Sequence, residues 1–195
     1  MKYNPQIHHR RSIRLQDYDY SSKGAYFVTM CARHRECLFG EIQNERMILN
    51  EYGKIVEQCW LDLPNHYHNI VLDAYIIMPN HFHGIIFITD NVDNVDNVRA
   101  IRELPRQRQD ELPRQQQKQR QQQRRKMLLP KIVGRFKMNS AKQINQMRNT
   151  PGISVWQRNY YEHIIRDEKS LENIRNYIIN NPAKWQDDDY NLTNR

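Results

Sequence analysis

Two periodicities alternate along the chain. "AYFVTMCAR" (25–33) is dense in aromatic and β-branched residues and reads as a strand. "CLFGEI" and "RMILN" read as a short hairpin leading into a helix over about 50–62. "AYIIMPN" and "HFHGIIFIT" are two further strands, joined at the turn pair Pro79 and Asn80. Later, "KIVGRFKMNSAKQINQM" places Ile132, Phe136, Ile144 and Met147 at helical spacing. "YEHIIR" is a last strand, after which Asp167 can N-cap a helix running to about Asn180 and ended by Pro182. Strands with hairpin-like links, interleaved with helices, predict an α+β fold: an antiparallel sheet with helices packed on it.

Between these halves the pattern is lost. "NVDNVDNV" is a tandem repeat, "ELPRQ" occurs at 103–107 and again at 111–115, and glutamine runs follow. Such a segment buries too little apolar surface to offset its ordering entropy. The expectation is one domain from 1–90 and 130–195, interrupted by a low-complexity basic insert over 91–129. A chain of 195 residues suits a single core.

The insert changes how the net charge of +8 is read. Residues 99–126 hold 10 Lys/Arg against 3 Asp/Glu, which leaves 20 against 19 elsewhere. The folded part is therefore nearly neutral, with two local basic clusters. One is "HHRRSIR" (8–14), with Arg10, Arg11 and Arg14; the other is 131–148, with Arg135, Lys137 and Lys142. Either could follow a phosphate backbone, and either could be a solvated face.

Three cysteines (Cys31, Cys37, Cys59) form no CxxC pair, which argues against a cysteine zinc site and for a reduced compartment. No apolar run approaches the ~20 residues that span a bilayer, and the first fifteen residues contain no apolar signal core. The expectation is a cytoplasmic protein without a membrane partner.

Candidate chemistry centres on "MPNHFHGII" (78–86). On a strand, positions i and i+2 share a face, so His81 and His83 present two imidazoles together. With a third donor they could hold a divalent metal, although His-x-His alone is a weak signal. A second pair, His66 and His68 in "PNHYH", follows a helix rather than opening a strand, and reads as structural or exposed. On the final helix Leu171, Ile174 and Ile178 form an apolar stripe. Tyr177 and Asn181 lie about 40° apart on its edge. They fit a nucleophile and a ligand, and equally a partly buried core tyrosine and a cap.

"MPNHFHGII", "VWQRNYYEHIIRDEKSLENIRNYIINNP" and "RRSIRLQDYDYSSKGAYFVTM" together resemble the REP-associated tyrosine transposases of the single-tyrosine HUH superfamily. The resemblance covers about 8–90 and 130–186, and the insert has no counterpart. It implies a ferredoxin-like, RRM-like HUH domain. It also implies His81, His83 and Asn181 as metal ligands, Mg²⁺ or Mn²⁺ as the metal, and Tyr177 as catalytic nucleophile. The implied activity is cleavage and rejoining of single-stranded or hairpin DNA, in transposition or mobilisation of REP elements, through a 5′-phosphotyrosine. Arg10, Arg11, Arg14, Arg135, Lys137 and Lys142 are the expected DNA contacts, and Trp156 and Tyr160 could stack on bases or belong to the core. A monomer working in cis is favoured over a homodimer. The rival classes are a Rep- or relaxase-like nickase and a non-catalytic DNA-binding descendant of a transposase.

Overall fold

The computed structural model describes residues 19–89 and 127–191. Strand β1 (Gly24–Cys31) leads through a short 3-10 turn into the hairpin β2 (Gly40–Gln43) and β3 (Arg46–Leu49). Asn44 and Glu45 both adopt positive φ at its tip, as a two-residue primed turn requires. Helix α1 (Glu51–Leu61) follows, and the Asn50 side chain accepts from the backbone N–H groups of Tyr52 and Gly53 as its N-cap. The one-turn helix α2 (Leu63–His66) precedes strands β4 (Ile70–Ile77) and β5 (His81–Ile88). Beyond the insert lie α3 (Leu128–Met147), β6 (Tyr161–Ile165) and α4 (Glu168–Asn180), then a 3-10 turn over Pro182–Asp187.

Most of this agrees with the hydrophobic pattern. β4 starts earlier than "AYIIMPN" suggested, because Ile70, Val71 and Leu72 pair with Ile88, Phe87 and Ile86. Met147, expected on the buried stripe of α3, closes the helix and is exposed, whereas Ile132, Phe136 and Ile144 are buried. The insert lies outside the described residues except at its last positions. There α3 already begins at Leu128, and Leu129 is fully buried. Arg10, Arg11 and Arg14 also lie outside the described residues.

The sheet order is β4-β5-β1-β6, with every neighbouring pair antiparallel. β1 and β5 are central, and all eight residues of β5 are buried. One face carries Tyr26, Val28, Met30, Phe82 and Ile86 into the larger core, together with Trp60 from α1 and Phe136 from α3. Gly84 permits this closeness, because a Cβ there would stand 2.7 Å from Cζ2 of Trp60. The opposite face carries Ala25, Phe27, Ile85, Phe87 and Ile165 against Leu171 and Ile178 of α4. The sheet is thus sandwiched, and the edge of α4 overlooks the two central strands. A bulge in β4 between Leu72 and Tyr75 contains Asp73, which forms an ion pair with Arg175 of α4 and ties the helix to that edge.

Candidate active site

His81 and His83 point to the α4 face at the end of β5, opposite Cys31 and Thr29 of β1. Both are buried, at 0% and 1% exposure, in a position usually reserved for apolar side chains. What satisfies them decides what they can do. The Asn80 side-chain amide donates to the carbonyls of Arg35 (3.1 Å) and Tyr190 (2.7 Å), which fixes its orientation. Asn80 Oδ1 must then accept from His81 Nδ1, 2.8 Å away. The proton of His81 is thereby held on Nδ1, and Nε2 presents a bare lone pair. Thr29 Oγ1 lies 2.8 Å from His83 Nδ1; in the tautomer where Nδ1 donates to Thr29 Oγ1, His83 Nε2 is the acceptor. That atom is 3.2 Å from the Tyr177 hydroxyl.

Among the described residues, two buried polar atoms at this point have no hydrogen-bond partner: His81 Nε2 and Asn181 Oδ1. An unpaired buried acceptor is expensive, and convergent ones fit a cation better than they fit each other. Burial pushes the His81 pKa down to about 2, with help from His83 and Arg35, and pushes that of His83 down to about 3. Both imidazoles are therefore neutral at physiological pH, the form that ligates a metal. Among the described residues, no three His, Cys, Asp or Glu side chains form a ready-made metal cluster. The Asn181 amide oxygen adds a third donor beside the two imidazoles.

Tyr177 is half-exposed at its ring, which packs edge-on against Phe27 and His83. Burial of the hydroxyl and the nearby Asp188 carboxylate raise its pKa, while a hydrogen bond with Asn181 opposes them. The unaided site thus keeps the phenol protonated. α4 and the sheet belong to one chain, so Tyr177 and His83 of the same protomer meet.

Four neighbours had no clear signature in the sequence. Asn80 was legible only as a turn residue, and Thr29 as one position of an apolar strand. Asp188 and Tyr190 follow the last helix, where no periodicity assigns a direction. The Tyr190 ring lies 4.5 Å from that of His81, and Arg35 stacks over Tyr190. Burial raises the Tyr190 hydroxyl to about 12, so it remains neutral.

The other expected residues are elsewhere. Arg135, Lys137 and Lys142 lie on α3, behind the sheet from Tyr177. Lys142 is exposed. The Lys137 ammonium donates to the carbonyls of Gln157, Arg158 and Asn159, holding the approach to β6. Trp156 is in the core, with its indole N–H donating to Ser140 Oγ. Tyr160 packs against the same core. Tyr161 is on the α4 face and exposed, 6.5 Å from Phe27 between ring centroids. His66 pairs with Asp62 on the surface at 2.9 Å, and His68 is also exposed, as expected of that pair.

No family model matches the chain. A Haemophilus influenzae protein described as uncharacterized is 46% identical over 188 residues, covering 96% of both chains. A second protein of that organism, named as a candidate REP-associated tyrosine transposase, is 39% identical over 56 residues, 29% of this chain and 28% of its own. The similarity to a protein named for that family is thus confined to 56 residues of this chain. Two solved structures are similar in outline. One is a REP-associated tyrosine transposase bound to a REP hairpin, with a TM-score of 0.49 and 16% identity over 88% of this chain and 73% of that one. The other is a candidate transposase from Deinococcus radiodurans, with a TM-score of 0.44 and 15% identity over 86% and 95%. The His-Phe-His segment opens the central strand β5. No helix among the described residues is long and apolar enough to cross a membrane.

Proposed function

We propose that the protein is a metal-dependent single-stranded DNA endonuclease and strand transferase, acting on hairpin DNA of the REP type in transposition or REP element mobilisation. The observation that carries this is the Tyr177 hydroxyl standing 3.2 Å from His83 Nε2, beside two orphaned acceptors on His81 and Asn181. A phenol so placed sits on a firm helix at the rim of the donor set, where one phosphate can reach both. The partial match to a named relative supports the choice of substrate.

Tyr177 Oη forms a bond to phosphorus as the bond from phosphorus to the 3′-oxygen breaks. The products are a 5′-phosphotyrosine and a 3′-hydroxyl, so the proton lost by the phenol is matched by one gained by the leaving oxygen. One phosphodiester replaces another, and a later 3′-hydroxyl can reseal the strand without ATP. His81, His83 and Asn181 would hold Mg²⁺ or Mn²⁺, which when bound supplies the Lewis acidity that polarises the phosphoryl oxygen. Asn80 and Thr29 hold the two imidazoles in orientation, and burial keeps them neutral. The reaction runs in cis, within one chain.

Alanine at His81 or His83 should abolish cleavage of a labelled single-stranded hairpin in Mn²⁺, while alanine at His66 or His68 should leave most of it. Loss at 66 or 68 with retention at 81 and 83 would reverse the assignment.

A further inference from the structure

Beyond the two histidines and Asn181, a carboxylate stands at the same point. Asp188 follows the 3-10 turn after α4 and is folded back beneath the sheet end, with only 7% of its side chain exposed. Its Oδ1 accepts from the backbone N–H of Tyr190 at 2.7 Å. Its Oδ2 faces His81 Nε2 at 3.9 Å.

This pair is neither a hydrogen bond nor an ordinary ion pair. The proton of His81 is committed to Nδ1 by the Asn80 amide, whose own donors are engaged by two carbonyls. A lone pair on nitrogen therefore faces a carboxylate oxygen with no proton between them, and among the described residues no hydrogen bond satisfies that nitrogen. Two buried acceptors repel in this arrangement, and a cation removes the conflict. The spacing also suits one. Donors about 2.1 Å from a common ion lie about 3.0 Å apart when cis and about 4.2 Å apart when trans.

We propose that Asp188 is a further member of the metal-binding donor set, supplying the charged oxygen opposite His81 Nε2. The proposal rests on the metal-site reading given above and adds a residue to it. Two imidazoles and an amide form a neutral, nitrogen-rich set that suits Mn²⁺ or Zn²⁺ better than Mg²⁺, which prefers oxygen. A carboxylate brings a negative charge and a hard oxygen, so its particular effect is to make Mg²⁺ competitive. It also ties the segment after α4 to the site, because Asn80 holds the Tyr190 carbonyl two residues further on.

The test is Mn²⁺ titration of the metal-free full chain without DNA, following free Mn²⁺ by electron paramagnetic resonance, with Mg²⁺ as competitor. Asp188→Asn keeps an oxygen for the Tyr190 N–H and removes only the charge. It should weaken Mn²⁺ tenfold or more and reduce Mg²⁺ competition further, while Asp189→Asn at the exposed neighbour should change neither. A smaller loss in Asp188→Asn, while His81→Ala abolishes binding, overturns the role of Asp188 and leaves the metal site standing. Undiminished binding in His81→Ala overturns both. If Asp188→Asn does not fold, a crystal structure of the wild-type protein with Mn²⁺ decides. An ion within about 2.3 Å of Asp188 Oδ2 supports the proposal, and one beyond hydrogen-bond distance overturns it.

Discussion

Replacing Asn80 by alanine probes the link between fold and site most sharply. The side chain is fully buried and makes three hydrogen bonds: to the Arg35 carbonyl, to the Tyr190 carbonyl and from His81 Nδ1. Each contributes a net ~0.5–1.5 kcal/mol, and stranding a buried partner places the loss toward the upper end. The expected destabilisation is therefore about 3 kcal/mol. Urea unfolding in EDTA should show a midpoint lower by roughly 1–2 M with an unchanged slope. Removing the acceptor also frees the His81 proton to move to Nε2, so Mn²⁺ affinity should fall by about 10–100-fold, as when an outer-shell partner of a metal-bound histidine is lost. Asn80→Asp separates the two effects. It can still accept from His81, yet it sets carboxylate oxygen against two carbonyls, so it should not recover the stability. A midpoint shift worth less than about 1 kcal/mol in Asn80→Ala would refute the reasoning.

The metal-free protein should lose stability as pH falls below 6.5. The folded-state pKa values of His81 and His83 are depressed to about 2 and about 3, so the unfolded chain binds protons first and each imidazole removes about 1.4 kcal/mol per pH unit down to its folded pKa. Melting temperatures in EDTA that stay flat between pH 6.5 and 5 would contradict this. Replacing residues 91–126 by a short Gly-Ser linker should preserve the melting transition and hairpin cleavage. It should also weaken non-specific DNA affinity and flatten its salt dependence, since ten basic residues are removed. Loss of a cooperative transition would make the insert part of the fold.

The elements were legible in the sequence where one period dominates: the aromatic and β-branched block of β1, the stripe of α4, and the Asn50 and Asp167 caps. The pairing of His81 with His83 also follows from a period of two along one strand. Their closeness to Tyr177 depends on α4 lying across the α4 face of β5, a long-range packing that spacing alone does not determine. The resemblance to a family supplied that. Thr29 and Asn80 could be assigned only once the β1–β5 register placed Thr29 opposite His83 and the β4–β5 turn brought Asn80 to His81 Nδ1. Asp188 lies in an irregular segment, where a run of three aspartates gives no direction. The basic residues of α3 are the opposite case. Their charge was plain from composition, but helical packing sets them behind the sheet, and Lys137 is engaged by backbone carbonyls.

Tyr161 is the alternative nucleophile that geometry leaves in play, since it shares the face of His83 and is exposed. Its ring packs against Phe27, whereas the Tyr177 hydroxyl stands 3.2 Å from His83 Nε2. The decisive measurement is the SDS-resistant adduct between the protein and a labelled single-stranded hairpin in Mn²⁺, compared across wild type, Tyr161→Phe and Tyr177→Phe. Each substitution removes one oxygen and should leave folding and hairpin binding nearly intact. The account predicts an adduct from wild type and Tyr161→Phe and none from Tyr177→Phe. A full-yield adduct from Tyr177→Phe would contradict it.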